Sequence, residues 1–325
     1  MKIRALVLSL VLSFLCLTAW SAETAEPKVV VSIKPIHSLV AGVMQGVGEP
    51  QLLIKGGGSP HGYVLRPSEA RALAKADLIV WVGHSLESFL EKPLATLGQK
   101  ARKLELMEVL EDRLLPVREG GVWEGHEHEH GKAAHLEHED EHDHGATEQH
   151  EDHDAEHNPH LWLSPVLAAE VVSEVADLLS EIDPDNKVAY QNNAVQMRQR
   201  LTRLNQDLAV KLASVADVPY VVFHDAYQYF EAAYGLNAVG SITVNPERKP
   251  GARRLQEMRK KIKQLGAQTV FSEPQFEPKL VATIIEGTGA GTGELDPIGV
   301  TLAAGTEQYF QLLEKLTADL LEGLR

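Results

Sequence analysis

Ten of the fifteen histidines in this 325-residue chain fall within one short run: His126, His128, His130, His135, His138, His142, His144, His150, His153 and His157. Glu and Asp fill the gaps, and apolar side chains are almost absent. Imidazole nitrogens and carboxylate oxygens are the ligand atoms of borderline divalent metals, so the run points to metal handling. It lacks the apolar surface to fold alone and reads as a solvated, disordered loop over 119–157. Its ligands are too many and too interchangeable to define one selective site. It reads either as an auxiliary, weak collector of metal or as an acidic low-complexity loop that merely tolerates histidine.

Five histidines lie outside the run: His37, His61, His84, His160 and His224. His61 sits in the turn Ser59-Pro60-His61-Gly62, His160 in Asn158-Pro159-His160-Leu161-Trp162, and His224 directly after the β-branched run ending at Phe223. Open α/β sheets present side chains to a cleft beyond the carboxyl ends of their strands, which is where His224 stands. Taken singly, each is as compatible with a hydrogen-bonded turn or capping histidine as with a ligand. Three neutral imidazoles together suit zinc, copper or nickel better than manganese or magnesium. Free imidazole titrates near about 6.5, so binding through these groups is expected to weaken below that pH. His84 reads as a structural or rim histidine. His37 and Asp225 read as helix caps, and Glu273 either orients a histidine or faces solvent. Trp81, Trp162 and Tyr227 read as packing groups.

The elements that must hold these residues alternate between strand and helix. Strands are expected over Lys28–Ile33, Leu52–Ile54 and Leu78–Val82, with a helix over Glu69–Ala76 capped by Ser68. Ser164 and Pro165 open a helix that runs to Ile182. After Pro184, to about Ala216, the chain carries neither Gly nor Pro and keeps apolar residues at helical spacing, either as a rod between two lobes or as a long surface helix. Strands then recur at Tyr220–Phe223, Ala238–Val244 and Thr269–Phe271. Between and after them come a helix through Tyr234 and helices over Arg253–Leu265, Pro278–Gly287 and Thr306–Leu324. The alternation favours parallel sheets with crossover helices. Gly56-Gly57-Gly58 is a flexible turn without phosphate-cradling spacing. No internal repeat is evident.

Lys2 and Arg4, the apolar stretch Ala5–Leu17 and the small residues Ala19, Ser21 and Ala22 form an export signal over 1–22. The apolar run is shorter than the roughly 20 residues of a membrane span. The only cysteine, Cys16, lies inside it, so an exported metal protein must bind through His and carboxylate. The net charge is −15. Residues 119–157 hold fourteen acidic side chains against Lys132, a local −13; with +2 from the leader, the remainder is near neutral at −4. That balance gives no footing for a nucleic-acid partner.

The chain also carries His61-Gly62-Tyr63 with Leu65-Arg66-Pro67-Ser68, Asp77 to Gly83, Asn158 to Pro165, Phe223 to Phe230, Phe271 to Phe276, and Leu295-Asp296-Pro297-Ile298-Gly299. In that order, over nearly all of the mature chain, these segments resemble the zinc-specific periplasmic solute-binding proteins of ABC uptake systems. The resemblance implies two Rossmann-like α/β lobes with parallel sheets, residues 23–183 and 217–325, joined by one rigid helix over 184–216. The Zn(II) site would lie in the cleft, with His61 and His160 from the first lobe and His224 from the second. Asp296 matches a carboxylate ligand of manganese-binding relatives and stands as a possible fourth ligand, the alternatives being a water or a residue of the tract. Pro60 replaces an acidic residue that some zinc members carry, and the disulfide common in the second lobe is missing. The implied role is capture of zinc in the periplasm by a soluble monomer and delivery to a membrane permease. Two other classes compete. A zinc hydrolase also uses three histidines with an open position, yet neither a general-base partner nor an oxyanion device is evident, so no enzyme is expected. A metal buffer would rest on the tract alone.

Overall fold

The computed structural model describes residues 26–118, 123, 157–243, 246, 251–276 and 279–325. The expected leader and the tract histidines His126 to His153 lie outside the described residues; His157 lies within them. The first sheet contains β1 (Val29–Val31), β2 (Gln51–Leu52), β3 (Leu78–Trp81) and β4 (Arg102–Glu105), all parallel, in the order β2-β1-β3-β4. Helices α1 (Lys34–Val43), α2 (Pro67–Leu73) and α3 (Glu91–Thr96) link these strands, and α4 (Leu106–Val109) follows β4. Two long antiparallel neighbours come next, α5 (Pro165–Ile182) and α6 (Lys187–Leu212). The second sheet contains β5 (Tyr220–His224), β6 (Ala238–Thr243), β7 (Thr269–Ser272) and β8 (Gly291–Glu294), again parallel, in the order β6-β5-β7-β8. Its helices are α7 (Gln228–Tyr234), α8 (Ala252–Leu265), α9 (Lys279–Ile285) and α10 (Gln308–Gly323). The two sheets share one strand order, a duplication of architecture that the sequence does not display.

Strand side chains alternate between two layers, as the pleat requires. Val29, Val31, Leu78, Val80, Tyr220, Val222 and Phe271 face a central core. Val30, Ile79 and Trp81 face an outer layer on the first sheet, and Val221, Phe223 and Val270 one on the second. The central core is common to both lobes: Leu39 and Val43 of α1, Val171 and Val175 of α5, Leu201 and Leu208 of α6, and Leu313 and Leu320 of α10 all belong to it. The long helix is therefore embedded in a shared helical layer.

Local chemistry sets the boundaries. Ser164 caps α5, its hydroxyl accepting from the Leu167 amide at 3.4 Å, with Pro165 at the first helical position. The expected cap at Ser68 is corrected to Arg66: Pro67 fits the first helical position, and the Glu69 carboxylate accepts from the Arg66 amide at 2.8 Å. The helix expected over 184–216 opens with a 3₁₀ turn and is α-helical for 26 residues, about 39 Å. Strands β4 and β8 were not expected. Their sequences, Arg-Lys-Leu-Glu and Gly-Thr-Gly-Glu, occupy sheet edges and lack the apolar alternation of the inner strands.

Candidate metal centre

Three loops bring three imidazoles together. His61 stands in the 3₁₀ turn Pro60–Gly62 after β2, where the Ser59 hydroxyl accepts from its amide at 3.3 Å. His160 immediately precedes the turn Leu161–Leu163, and Asn158 Oδ1 accepts from its amide at 3.0 Å and its Nδ1 at 2.8 Å. His224 ends β5; Glu273, the first residue beyond β7, accepts from its Nδ1 at 2.6 Å and its amide at 3.3 Å. Strands β5 and β7 are the neighbours at which the strand order reverses, the place where open α/β sheets present ligands. The alternatives left open for Glu273 thus resolve toward orienting a histidine.

With Nδ1–H donated to Asn158 and Glu273, the Nε2 atoms of His160 and His224 both carry lone pairs. They face each other at 3.2 Å, and His61 Nε2 lies 3.3 Å from His160 Nε2. Lone pairs that close repel unless a cation lies between them. A tetrahedral ion with Zn–N bonds near 2.0–2.1 Å sets its nitrogens about 3.3–3.4 Å apart, so the spacing suits zinc. One atom from each of the three residues lies within 4.8 Å of the others, the one such cluster among the described residues. Burial, with the neighbouring His224, lowers His61 to about 3, and burial with His224 and His61 holds His160 well below its ordinary value. These two rings stay neutral well below the pH expected from free imidazole.

The space among the rings is a cavity of about 10 Å³, the size of one water. Trp162 packs against His160 at 5.2 Å between ring centroids, with its indole N–H donated to the Pro297 carbonyl at 2.8 Å. Phe276 stands edge-on to His224 and stacks on Phe223. Asp296 is not brought into the cluster. Its Oδ1 accepts from Gln275 Nε2 and from the amides of Ile298 and Gly299, and its Oδ2 from the Val300 amide. The carbonyls of Gly299, Val300 and Leu302 in turn receive the Lys34 ammonium from the first lobe.

The lobes are also stitched at the stem of the histidine tract. Arg118 binds Asp225 through a two-pronged ion pair, donates to Glu231 at 2.7 Å, and lies 3.5 Å from the Trp123 ring centroid. His157 forms an antiparallel bridge with Pro116, and the Tyr229 hydroxyl donates to the Asn158 carbonyl while accepting from the Leu115 amide. Asp225 is thus an interlobe ion-pair partner and not the expected helix cap; α7 starts three residues later, with Tyr227 at the cap position. His37 is likewise no cap. It lies inside α1, buried, with Nε2 on the Pro50 carbonyl at 2.9 Å. His84 is exposed beside Glu91, away from the cluster. Sequence reasoning missed the roles of Arg118, Glu231 and Gln275; Glu231 and Gln275 left a local signal, the first directly after the Phe223 to Phe230 segment and the second within Phe271–Phe276, and Arg118 left none.

Two parallel α/β lobes with imidazoles converging where both sheets open define a two-lobe metal-binding protein. The model of the family described as "ZnuA: Zinc-uptake complex component A periplasmic" matches residues 29–323. The chain is 45% identical over 312 residues, 91% of either chain, to the high-affinity zinc uptake system protein ZnuA of Brucella abortus (strain 2308). It is 34% identical over 298 residues to the protein of that name from Yersinia pestis, covering 90% of each chain. Among solved structures, a Zn(II)-bound variant of AdcAII from Streptococcus pneumoniae superposes with a TM-score of 0.72 at 26% identity, covering 92% of this chain and 98% of that one. The periplasmic zinc binding protein TroA of Treponema pallidum shares the fold, with a TM-score of 0.74 at 22% identity over 92% of this chain and 99% of that one. The chain belongs to the ZnuA family of zinc-uptake components, which are transport proteins and not enzymes.

Proposed function

We propose that this protein captures Zn(II) in the periplasm through His61, His160 and His224 and delivers it to the permease of an ABC-type zinc uptake system. The lobes correspond to residues 23–183 and 217–325 about the helix of 184–216, and the mature chain acts as a soluble monomer. The observation that carries this reading is the convergence of three imidazoles, two of them oriented through Nδ1 so that their Nε2 lone pairs meet at 3.2 Å. The family's members are zinc-uptake transport proteins, which argues against activated-water chemistry. The tract serves as an auxiliary, low-affinity collector feeding the cleft.

Competition titration tests both parts. His224→Ala should weaken the tight one-equivalent site by at least a hundredfold, and His84→Ala should leave it within about threefold. Equal losses would reject the ligand assignment. Deletion of residues 125–156 should keep the tight site and remove the weak ones; the bridge between Pro116 and His157 already holds the ends of that segment together. Loss of the tight site on deletion would favour the buffer, and unchanged weak-site stoichiometry would remove the collector role.

A further inference from the structure

The proposed site supplies three ligand nitrogens, and tetrahedral zinc takes a fourth group. The carboxylate nearest at hand in sequence terms, Asp296, has both oxygens committed: Oδ1 to Gln275 Nε2 at 2.9 Å and to two loop amides, Oδ2 to a third. Gln275 lines the same small cavity as the three histidines. A carboxylate can only accept hydrogen bonds, so the Gln275 amide must turn its NH₂ toward Asp296 and its carbonyl oxygen away. That oxygen, Oε1, is buried and has no hydrogen-bond partner among the described residues. A buried acceptor left alone is costly, so it calls for a donor in the cavity it borders. The cavity holds one water-sized body.

We infer that Gln275 completes the site without touching the metal: its Oε1 accepts a hydrogen bond from a water that is the fourth zinc ligand, while its Nε2 holds Asp296 off the metal. A zinc-bound water is a stronger donor than free water, because the cation withdraws charge from its oxygen. The carbonyl opposite it is matched to that donor and carries no charge. Gln275 is therefore a positioning residue, and the site is neutral-ligand throughout, three imidazoles and a water. Oxygen-preferring manganese gains nothing from such a set.

This inference rests on the three-histidine reading above, and the test separates the two. Zinc competition titrations would be run on the wild-type chain, Gln275→Leu, Asp296→Asn and His224→Ala, with a high-resolution structure of the zinc-loaded wild type. Gln275→Leu should bind zinc ten- to a hundredfold more weakly, as loss of an outer hydrogen-bond partner does elsewhere. Asp296→Asn, which removes the acceptor that turns the Gln275 amide, should weaken zinc binding by no more than Gln275→Leu does, and the structure should place a water between zinc and Gln275 Oε1. A zinc–carboxylate bond from Asp296, or a Gln275→Leu chain as tight as wild type beside a weakened His224→Ala, overturns this inference alone. A His224→Ala chain as tight as wild type overturns the three-histidine reading and this inference with it. If Gln275→Leu does not fold, the wild-type structure decides between water and carboxylate by itself.

Discussion

At the scale of single residues, the site is prepared for a cation before one arrives. Free histidine titrates near about 6.5, whereas burial holds His160 well below its ordinary value and His61 at about 3. Between those limits the unfolded chain takes up protons that the folded chain refuses. Stability from these groups is therefore complete above about pH 6.5 and is lost as the pH falls toward the folded values. Each such histidine contributes a slope of up to about 1.4 kcal/mol per pH unit in that window. Thermal unfolding of the zinc-free protein between pH 4 and pH 7 should show this fall, and His160→Gln should make it shallower. A His160→Gln chain with the wild-type slope would mean that His160 is not held neutral by its surroundings. The three histidines proposed as ligands were legible in the sequence, because each sits in a short motif and Asn158 is two residues from the histidine it orients. Glu273 was legible only as a question, since its partner is 49 residues away and is brought near by strand pairing.

At the scale of elements, the contact that joins the tract to the second lobe is the Arg118 cluster. Its guanidinium is about four-fifths buried, and the Asp225 and Glu231 side chains are nearly wholly so. Burial pushes Glu231 up to about 7 even with Arg118 beside it. Removing the only cation of this cluster among the described residues leaves two buried acids without a positive partner, at a cost of about 3 kcal/mol. Arg118→Ala should therefore lower the thermal midpoint by several degrees at pH 8. Arg118→Lys should recover only part of it, because an ammonium lacks the planar fork that pairs with both Asp225 oxygens while reaching Glu231. Full recovery by lysine in calorimetry would reduce the cluster to simple charge balance. None of this was readable from the chain, since Arg118 and Asp225 are 107 residues apart and neither has a motif that announces the other. The edge strands β4 and β8 escaped for a different reason. A strand with one unpaired side and polar neighbours needs no apolar alternation, so periodicity has nothing to detect.

At the scale of the whole molecule, the sequence carried the alternation of strands and helices but not the way the halves join. The long helix was legible from its spacing, while the layer it belongs to depends on α1, α5 and α10, which meet only in three dimensions. One core common to both lobes predicts one cooperative unfolding event. Calorimetric and van't Hoff enthalpies should agree for the zinc-free protein. Zinc at a thousandfold excess over its dissociation constant should raise the stability of that single event by about 4 kcal/mol. Two resolved transitions, with only the second shifted by zinc, would show that the halves fold apart.

The three imidazoles are not equally held. His160 and His224 are each fixed through their second nitrogen by a side chain, while His61, half-buried on its short turn, has no such partner for its ring among the described residues. That inequality sets a sequence in time. His61 is therefore the ring expected to close last on an arriving ion and to let go first of a departing one, so His61→Ala should speed zinc release. Exchange of the ion is then expected on the side of His61, the one ring of the three whose second nitrogen no side chain fixes among the described residues.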